Sequence, residues 1–267
     1  MKGKFSANAK ELKGHIKNNK ITFTVYVVLR LIVIAAMVLS VINGSYENLF
    51  VCTLSLILFL CPAFFEKNFG INLPTTLEIV ILLFIFASQI LGEIGCYYVK
   101  VPMWDTMLHT VNGFLCAAIG FSLVDILNRN TRFKFQLSPL FVSIVAFCFS
   151  MTIGVLWEMF EFSADMLFST DMQKDFIISR ISSVTLDKTL TNTPVTISKI
   201  NEVYVNGTPL EIGGYLDIGL IDTMKDLIVN FIGAVVFSII GYFYIKNRGR
   251  GKIAKRFIPT LDEDKNE

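Results

Sequence analysis

Charge is scarce in this chain. Only 17% of its 267 residues are Asp, Glu, Lys or Arg, while 53% are hydrophobic and the mean hydropathy is +0.59. A soluble domain needs a charged, solvated surface, so this balance points to a polytopic membrane protein instead. Cysteine is sparse and scattered: Cys52, Cys61, Cys96, Cys116 and Cys148 contain no Cys-x-x-Cys pair, so neither a disulfide framework nor a zinc site is indicated. Four of them fall in apolar runs, where a thiol packs as a small apolar group. There is no Ser or Cys nucleophile motif, internal repeat or low-complexity segment. The net charge of +2 gives no reason to expect a nucleic acid partner.

Long apolar runs are what the chain has in abundance. A bilayer core takes about 20 mostly apolar residues per helical span, and six runs qualify: 22–43, 48–65, 75–94, 103–127, 138–165 and 221–245. The expected fold is an all-α polytopic membrane protein. Lys and Arg in the connections set its orientation. With residues 1–21 inside, 17 of the 24 basic residues are cytoplasmic and five lie opposite, Arg30 and Lys225 being within spans. Both termini are therefore expected in the cytoplasm. The first run exceeds the 7–15 residue apolar region of a signal peptide and has no small-residue cleavage site, so it reads as an uncleaved helix.

The layout is a basic segment 1–21, five helices within 22–165, an extracytoplasmic insertion 166–220, a sixth helix 221–245 and a basic/acidic tail 246–267. In the tail, IKNRGRGKIAKRF places six basic residues between Lys246 and Arg256. They serve topology, and they offer anionic lipid about 1 kcal/mol per basic residue near a charged surface. The 55-residue insertion is too long for a bare loop. Asn206-Gly207 between NEVYV and TPLEI is a tight-turn signal flanked by alternating residues, and PVTISKI is a further strand that could pair with this hairpin. A small β-containing cap is expected, either as an ordinary structured loop or as a binding element. Asn206-Gly-Thr also matches a glycosylation pattern and reads better as the turn itself.

Seven ionisable residues interrupt the last three spans or their ends: Asp105, His109, Glu158, Glu161, Asp165, Asp222 and Asp226. A charged side chain at the centre of a span costs roughly 2.5–3.5 kcal/mol on the insertion scale, so such residues face a cavity, a partner or an ion. Asp105, His109 and Asn112 share one helical face; so do Glu158, Glu161 and Asp165, and again Asp222, Asp226 and Asn230. At about 1.5 Å per residue, His109, Glu158 and Asp226 each fall roughly 8–11 Å below the outer edge of the membrane. The others form a shallower ring, where Asp105, Asp165 and Asp222 could equally face headgroups or water, Asp105 and Asp222 aided by a helix N-terminus. Gly113, Gly120, Gly154, Gly233 and Gly241 are expected to permit close helix packing.

Six carboxylates and one imidazole in a low-dielectric setting require either protonation or a bound cation. The donor set suits Mg²⁺, Mn²⁺ or Ca²⁺, with iron a lesser option because the Glu-x-x-His pairs of di-iron bundles are missing. The expected function is a metal-dependent membrane enzyme, a hydrolase acting on a lipid or cell-envelope substrate near the outer leaflet. Glu158 or Glu161 would be general base and His109 ligand or acid. The alternatives are a cation- or proton-coupled transporter and a non-enzymatic envelope protein with a structural or sensory metal site.

The strings WDTMLHTVNGF, LWEMFEFSAD and DTMKDLIVNFIGA resemble the YjdF-like family of bacterial inner-membrane proteins over roughly residues 20–245. A more distant likeness is to VanZ-like proteins, through Asp105 and His109 and then Asp226, Asn230 and Gly233. These resemblances imply a bacterial plasma-membrane location and single out the fourth to sixth spans; they imply no reaction.

Overall fold

The computed structural model describes residues 20–69, 71–129, 137–247 and 249–261. Most of the basic segment 1–21, part of the connector after the fourth span, Arg248 and the end of the tail lie outside the described residues. The helices are α1 (Lys20–Ile42), α2 (Tyr46–Leu58), α3 (Cys61–Phe69), α4 (Thr75–Phe86), α5 (Trp104–Arg129), α6 (Pro139–Phe168) and α7 (Leu220–Lys246). Six stretches are long and apolar enough to cross a membrane: Lys20–Ile42, Tyr46–Asn68, Thr75–Ile94, Trp104–Leu127, Pro139–Phe168 and Leu220–Lys246. They match the six expected runs to within a few residues. Large apolar side chains such as Leu39, Ile144, Phe160 and Ile228 are exposed on them, as a lipid-facing surface requires.

Two of the spans are irregular. The second breaks between α2 and α3, where the Leu60 N–H turns back to the Ile57 carbonyl at 2.9 Å. Pro62 accounts for the break, since within a continuous helix its ring would meet the carbonyl four residues earlier, that of Leu58. The third continues past α4 as a π-helical stretch, Ala87–Ile94, ending with the Gly95 N–H on the Ile90 carbonyl at 2.9 Å. Such i→i+5 bonding is rare.

The chain divides into two compact units, residues 1–152 with 229–267 and residues 153–228, so α6 and α7 each contribute to both. In the first unit, Leu29, Val33, Cys52, Phe59, Leu82, Ile85 and Ile90 form one core from α1, α2, α4 and the π-helical stretch. A second core joins Ala117, Ala118 and Phe121 of α5 to Val142 and Ala146 of α6 and Ala234 and Phe237 of α7. Its alanines let the helices approach closely, the usual basis of association where lipid removes the hydrophobic drive. Gly120 packs against Phe149, and Gly241 against Phe121.

The tail re-enters this second core. Gly249 takes φ +77° and donates its N–H to the Tyr244 carbonyl at 2.9 Å, reversing the chain after α7. Ala254 and Ile258 are then buried in the core, and the Phe257 ring meets Phe114 edge-on at 4.9 Å. Strand β8 (Thr260–Leu261) ends the return by pairing antiparallel with β1 (Ile71–Asn72). Phe257→Ala is therefore expected to cost about 1–2 kcal/mol, part of the value of a fully buried aromatic side chain. Thermal unfolding in detergent checks this, and an unchanged midpoint would contradict the docking.

The second unit contains the insertion. Strands β2 (Ile177–Ile178) and β7 (Tyr215–Leu216) pair, as do β3 (Arg180–Ser183) and β4 (Val195–Ser198), and β5 (Tyr204–Val205) and β6 (Thr208–Pro209), all antiparallel. The last pair is the expected hairpin, with Asn206 at φ +52° and Gly207 at φ +83°. The strand in PVTISKI does not join it, a correction to the sequence expectation: Val195–Ser198 pairs with Arg180–Ser183 instead. Arg180–Ser183 offered only four residues of alternation, too short to be singled out as a strand.

Asp187 organises the turn between β3 and β4. Its carboxylate accepts the hydroxyl and N–H of Thr189 and the N–H and hydroxyl of Thr191. The Thr189 side chain, then the Thr189 and Thr191 backbone, hold its carboxyl well below the usual carboxylate range. A depressed pKa contributes stability that is present above the unfolded value of about 3.9 and is lost as pH falls toward the folded one. Protection of the Thr189 and Thr191 amides against exchange, relative to the intrinsic rate at each pH, is expected to fall progressively as pH drops below about 4. In Asp187→Ala that protection should be lost already at neutral pH, and strong protection in that variant would contradict the assigned role.

Candidate functional site

Three helices of the first unit meet at a polar junction. The Asn112 amide on α5 donates to the Asn230 side-chain oxygen on α7 at 3.3 Å, and the Asn230 amide donates to the Ser150 carbonyl on α6 at 3.4 Å. The Ser150 hydroxyl donates to the Gly113 carbonyl at 2.8 Å. Asn230 and Ser150 are completely buried, a placement that is favourable only with such partners. Glycine makes the approach feasible: a Cβ on Gly113 would collide with the Asn230 carbonyl, and one on Gly233 with the Thr110 carbonyl. Because Gly113 lies opposite Asn230 and Phe121 opposite Gly241, α5 and α7 run parallel in this unit.

The acidic/His group begins one turn from this junction on α5. His109 is buried, and its Nε2 lies 3.6 Å from an Asp105 carboxylate oxygen, an ion-pair distance longer than a hydrogen bond. Asp105 is partly exposed near the helix start. The i, i+4 spacing read from the sequence places the pair on one face.

In the second unit the acids divide into two kinds. Asp165 and Asp222 hold the chain that leaves α6. Asp165 accepts the Met172 N–H at 2.7 Å and the Thr170 hydroxyl on one oxygen and the Gln173 N–H at 2.8 Å on the other. Asp222 accepts the Lys174 N–H at 2.8 Å. Asp217 continues the series with the N–H groups of Phe176 and Ile221. Burial alone would raise its pKa, but the N–H groups of Phe176, Ile221 and Gly219 outweigh it and hold the carboxyl low. The second kind is Glu158, Glu161 and Asp226, which are buried within the spans. Glu161 accepts the Trp157 indole N–H at 2.7 Å, and Trp157 itself is exposed. Lys225 caps the Phe176 ring, its Nζ 3.4 Å from the centroid.

Sequence reasoning placed Asn112 and Asn230 on the right stripes but missed Ser150, whose only signal is a hydroxyl in an apolar run. It also missed Asp217 and Asp187, although the Thr-x-Thr-x-Thr pattern after Asp187 and the position of Asp217 just before α7 were both readable.

A model described as predicted membrane protein (DUF2238) matches residues 25–247. The chain belongs to that family. An uncharacterized protein of Thermotoga maritima is 27% identical over 104 residues, 39% of this chain and 52% of its own length, so the chain spans about half of that relative. No solved structure matches. The DUF2238 match begins within the first span and contains the other five, with the polar junction and the acidic/His group inside the matched region.

Proposed function

We propose that this DUF2238 protein binds a divalent cation, Mg²⁺, Mn²⁺ or Ca²⁺, between α5, α6 and α7 near the outer leaflet of the bacterial plasma membrane. It would use the cation to hydrolyse a lipid or cell-envelope substrate. The observation that carries the reading is the buried His109 beside Asp105, one turn from the junction of Asn112 with Asn230. Asp226 lies four residues before Asn230 on the unbroken helix α7, and His109 four before Gly113 on α5, each about 6 Å toward the start of parallel helices. Asp105, His109 and Asp226 are the proposed ligands, with Glu158 completing an oxygen-rich set that suits a hard cation.

Asp165 and Asp222 are better assigned to anchoring the chain after α6, since their oxygens receive its N–H groups. A bound cation would supply Lewis acidity and a water of lowered pKa. Glu158 or Glu161 would take the proton from that water. Transport is the less supported reading, because Phe121, Phe237 and Tyr244 fill the far half of the three helices together with the returning tail. The YjdF-like relationship, the cytoplasmic placement of both termini and a contact of the basic segment after α7 with anionic lipid belong to the same proposal.

Proteoliposomes loaded with phospholipid or envelope-lipid substrates test it. Release of a hydrolysis product should require Mn²⁺ or Mg²⁺ and disappear in Glu158→Gln. Metal flux across the sealed bilayer without product would overturn the enzyme reading in favour of transport.

A further inference from the structure

The returning tail builds a basic cleft at the end of the last span. After the reversal at Gly249, the Arg250 N–H donates to the Asn247 carbonyl at 3.3 Å, bringing Arg250 back to the end of α7. Lys246, Asn247, Arg250 and Gly251 then line an open surface cleft of about 470 Å³. The lining is fixed on both sides, by α7 before it and by buried Ala254 and Ile258, the Phe257–Phe114 contact and the β8–β1 pair after it. Such preorganisation distinguishes the cleft from a loose run of tail charges.

The helix dipole alone explains a cation in the last turn of α7, and so accounts for Lys246. It does not explain why the chain reverses to place Arg250 beside Lys246 in the same cleft, while Lys252, Lys255 and Arg256, exposed as those two are, do not line it. Lys246 ends a membrane-spanning helix, the depth at which headgroups lie. Guanidinium and ammonium together with an Asn side chain suit a phosphate group.

We propose that this cleft binds the phosphate of an anionic phospholipid in the adjacent leaflet. The inference deepens, and rests on, the lipid contact proposed above for the basic segment. The full-length protein, reconstituted in phosphatidylcholine or in an equal mixture with phosphatidylglycerol, tests it by thermal unfolding. Phosphatidylglycerol should raise the midpoint of the wild type and of the charge-matched variant Lys252→Gln/Lys255→Gln, and the rise should be lost in Lys246→Gln/Arg250→Gln. Equal loss in both variants overturns the cleft while leaving the general lipid contact standing. No rise in the wild type overturns both. A rise produced by inorganic phosphate alone and lost in the cleft variant would reassign the site to soluble phosphate. Should the cleft variant fail to fold, crosslinking of a photoactivatable phosphatidylglycerol to the wild type reads the same contact; crosslinks at 246–251 support the proposal, and crosslinks confined elsewhere overturn it.

Discussion

Valine at Gly113 or at Gly233 is expected to prevent the α5–α7 crossing from forming. In each case the atom in the way is a backbone carbonyl of the facing helix, Asn230 for Gly113 and Thr110 for Gly233. A flexible side chain could swing aside; a helical carbonyl moves only with its helix. Overpacking in a well-packed core usually costs about 1–3 kcal/mol, and here the cost should reach the upper end or beyond. Separating the helices would also break the Asn112–Asn230 bond and leave a completely buried amide without its partner, a further penalty of about 1–3 kcal/mol. Gly92→Ala is the milder comparison, since its Cβ would meet only the ring edge of Tyr98, the far end of a side chain that can turn aside. Monodisperse protein yield and thermal midpoint read the difference. Wild-type behaviour of Gly113→Val would contradict the packing described for this junction.

Removing the imidazole is expected to abolish stabilisation by metal. A ligand that binds only the folded state at 100 times its Kd adds about 2.7 kcal/mol, which should appear as a raised midpoint when Mn²⁺, Mg²⁺ or Ca²⁺ is added to the wild type. His109→Ala and Asp226→Asn should each lose most of that rise, because each removes a proposed ligand. Asp165→Asn is the informative control. Its carboxylate is occupied by the N–H groups of Met172 and Gln173, so that substitution should loosen the chain after α6 and leave the metal-dependent rise intact. Loss in Asp165→Asn with the rise retained in His109→Ala and Asp226→Asn would place the cation in the shallower ring instead.

The membrane fold was legible because a span has a length that no other apolar element needs, and six such runs stood clear of their connectors. The tight turn at Asn206-Gly207 was legible for a similar reason: few residues accept positive φ, and these two do. The return of the tail was not. Ala254, Phe257 and Ile258 are spread among Lys252, Lys255 and Arg256, and three apolar side chains in a basic run carry no periodic signal. The break in the second span turned on Pro62, which is equally compatible with the first turn of a new helix and with a kink.

The ionisable residues were easier to find than to assign. A carboxylate near a helix end looks the same in sequence whether it holds a cation or a backbone N–H. Asp165 and Asp222 stood in the same stripes as Glu158 and Asp226, and only the path of residues 170–176 separates them by role. The stripe on α5 was more specific, because His109 is buried in a run where an imidazole has no packing advantage.

The central claim is a divalent cation held by Asp105, His109 and Asp226. Elemental analysis of the purified protein, after saturation with Mn²⁺ and removal of free ion, tests it most directly. The account predicts bound metal in stoichiometric amount in the wild type and its loss in His109→Ala that still folds. A folded wild-type protein that retains no Mn²⁺, Mg²⁺ or Ca²⁺ under these conditions would contradict it.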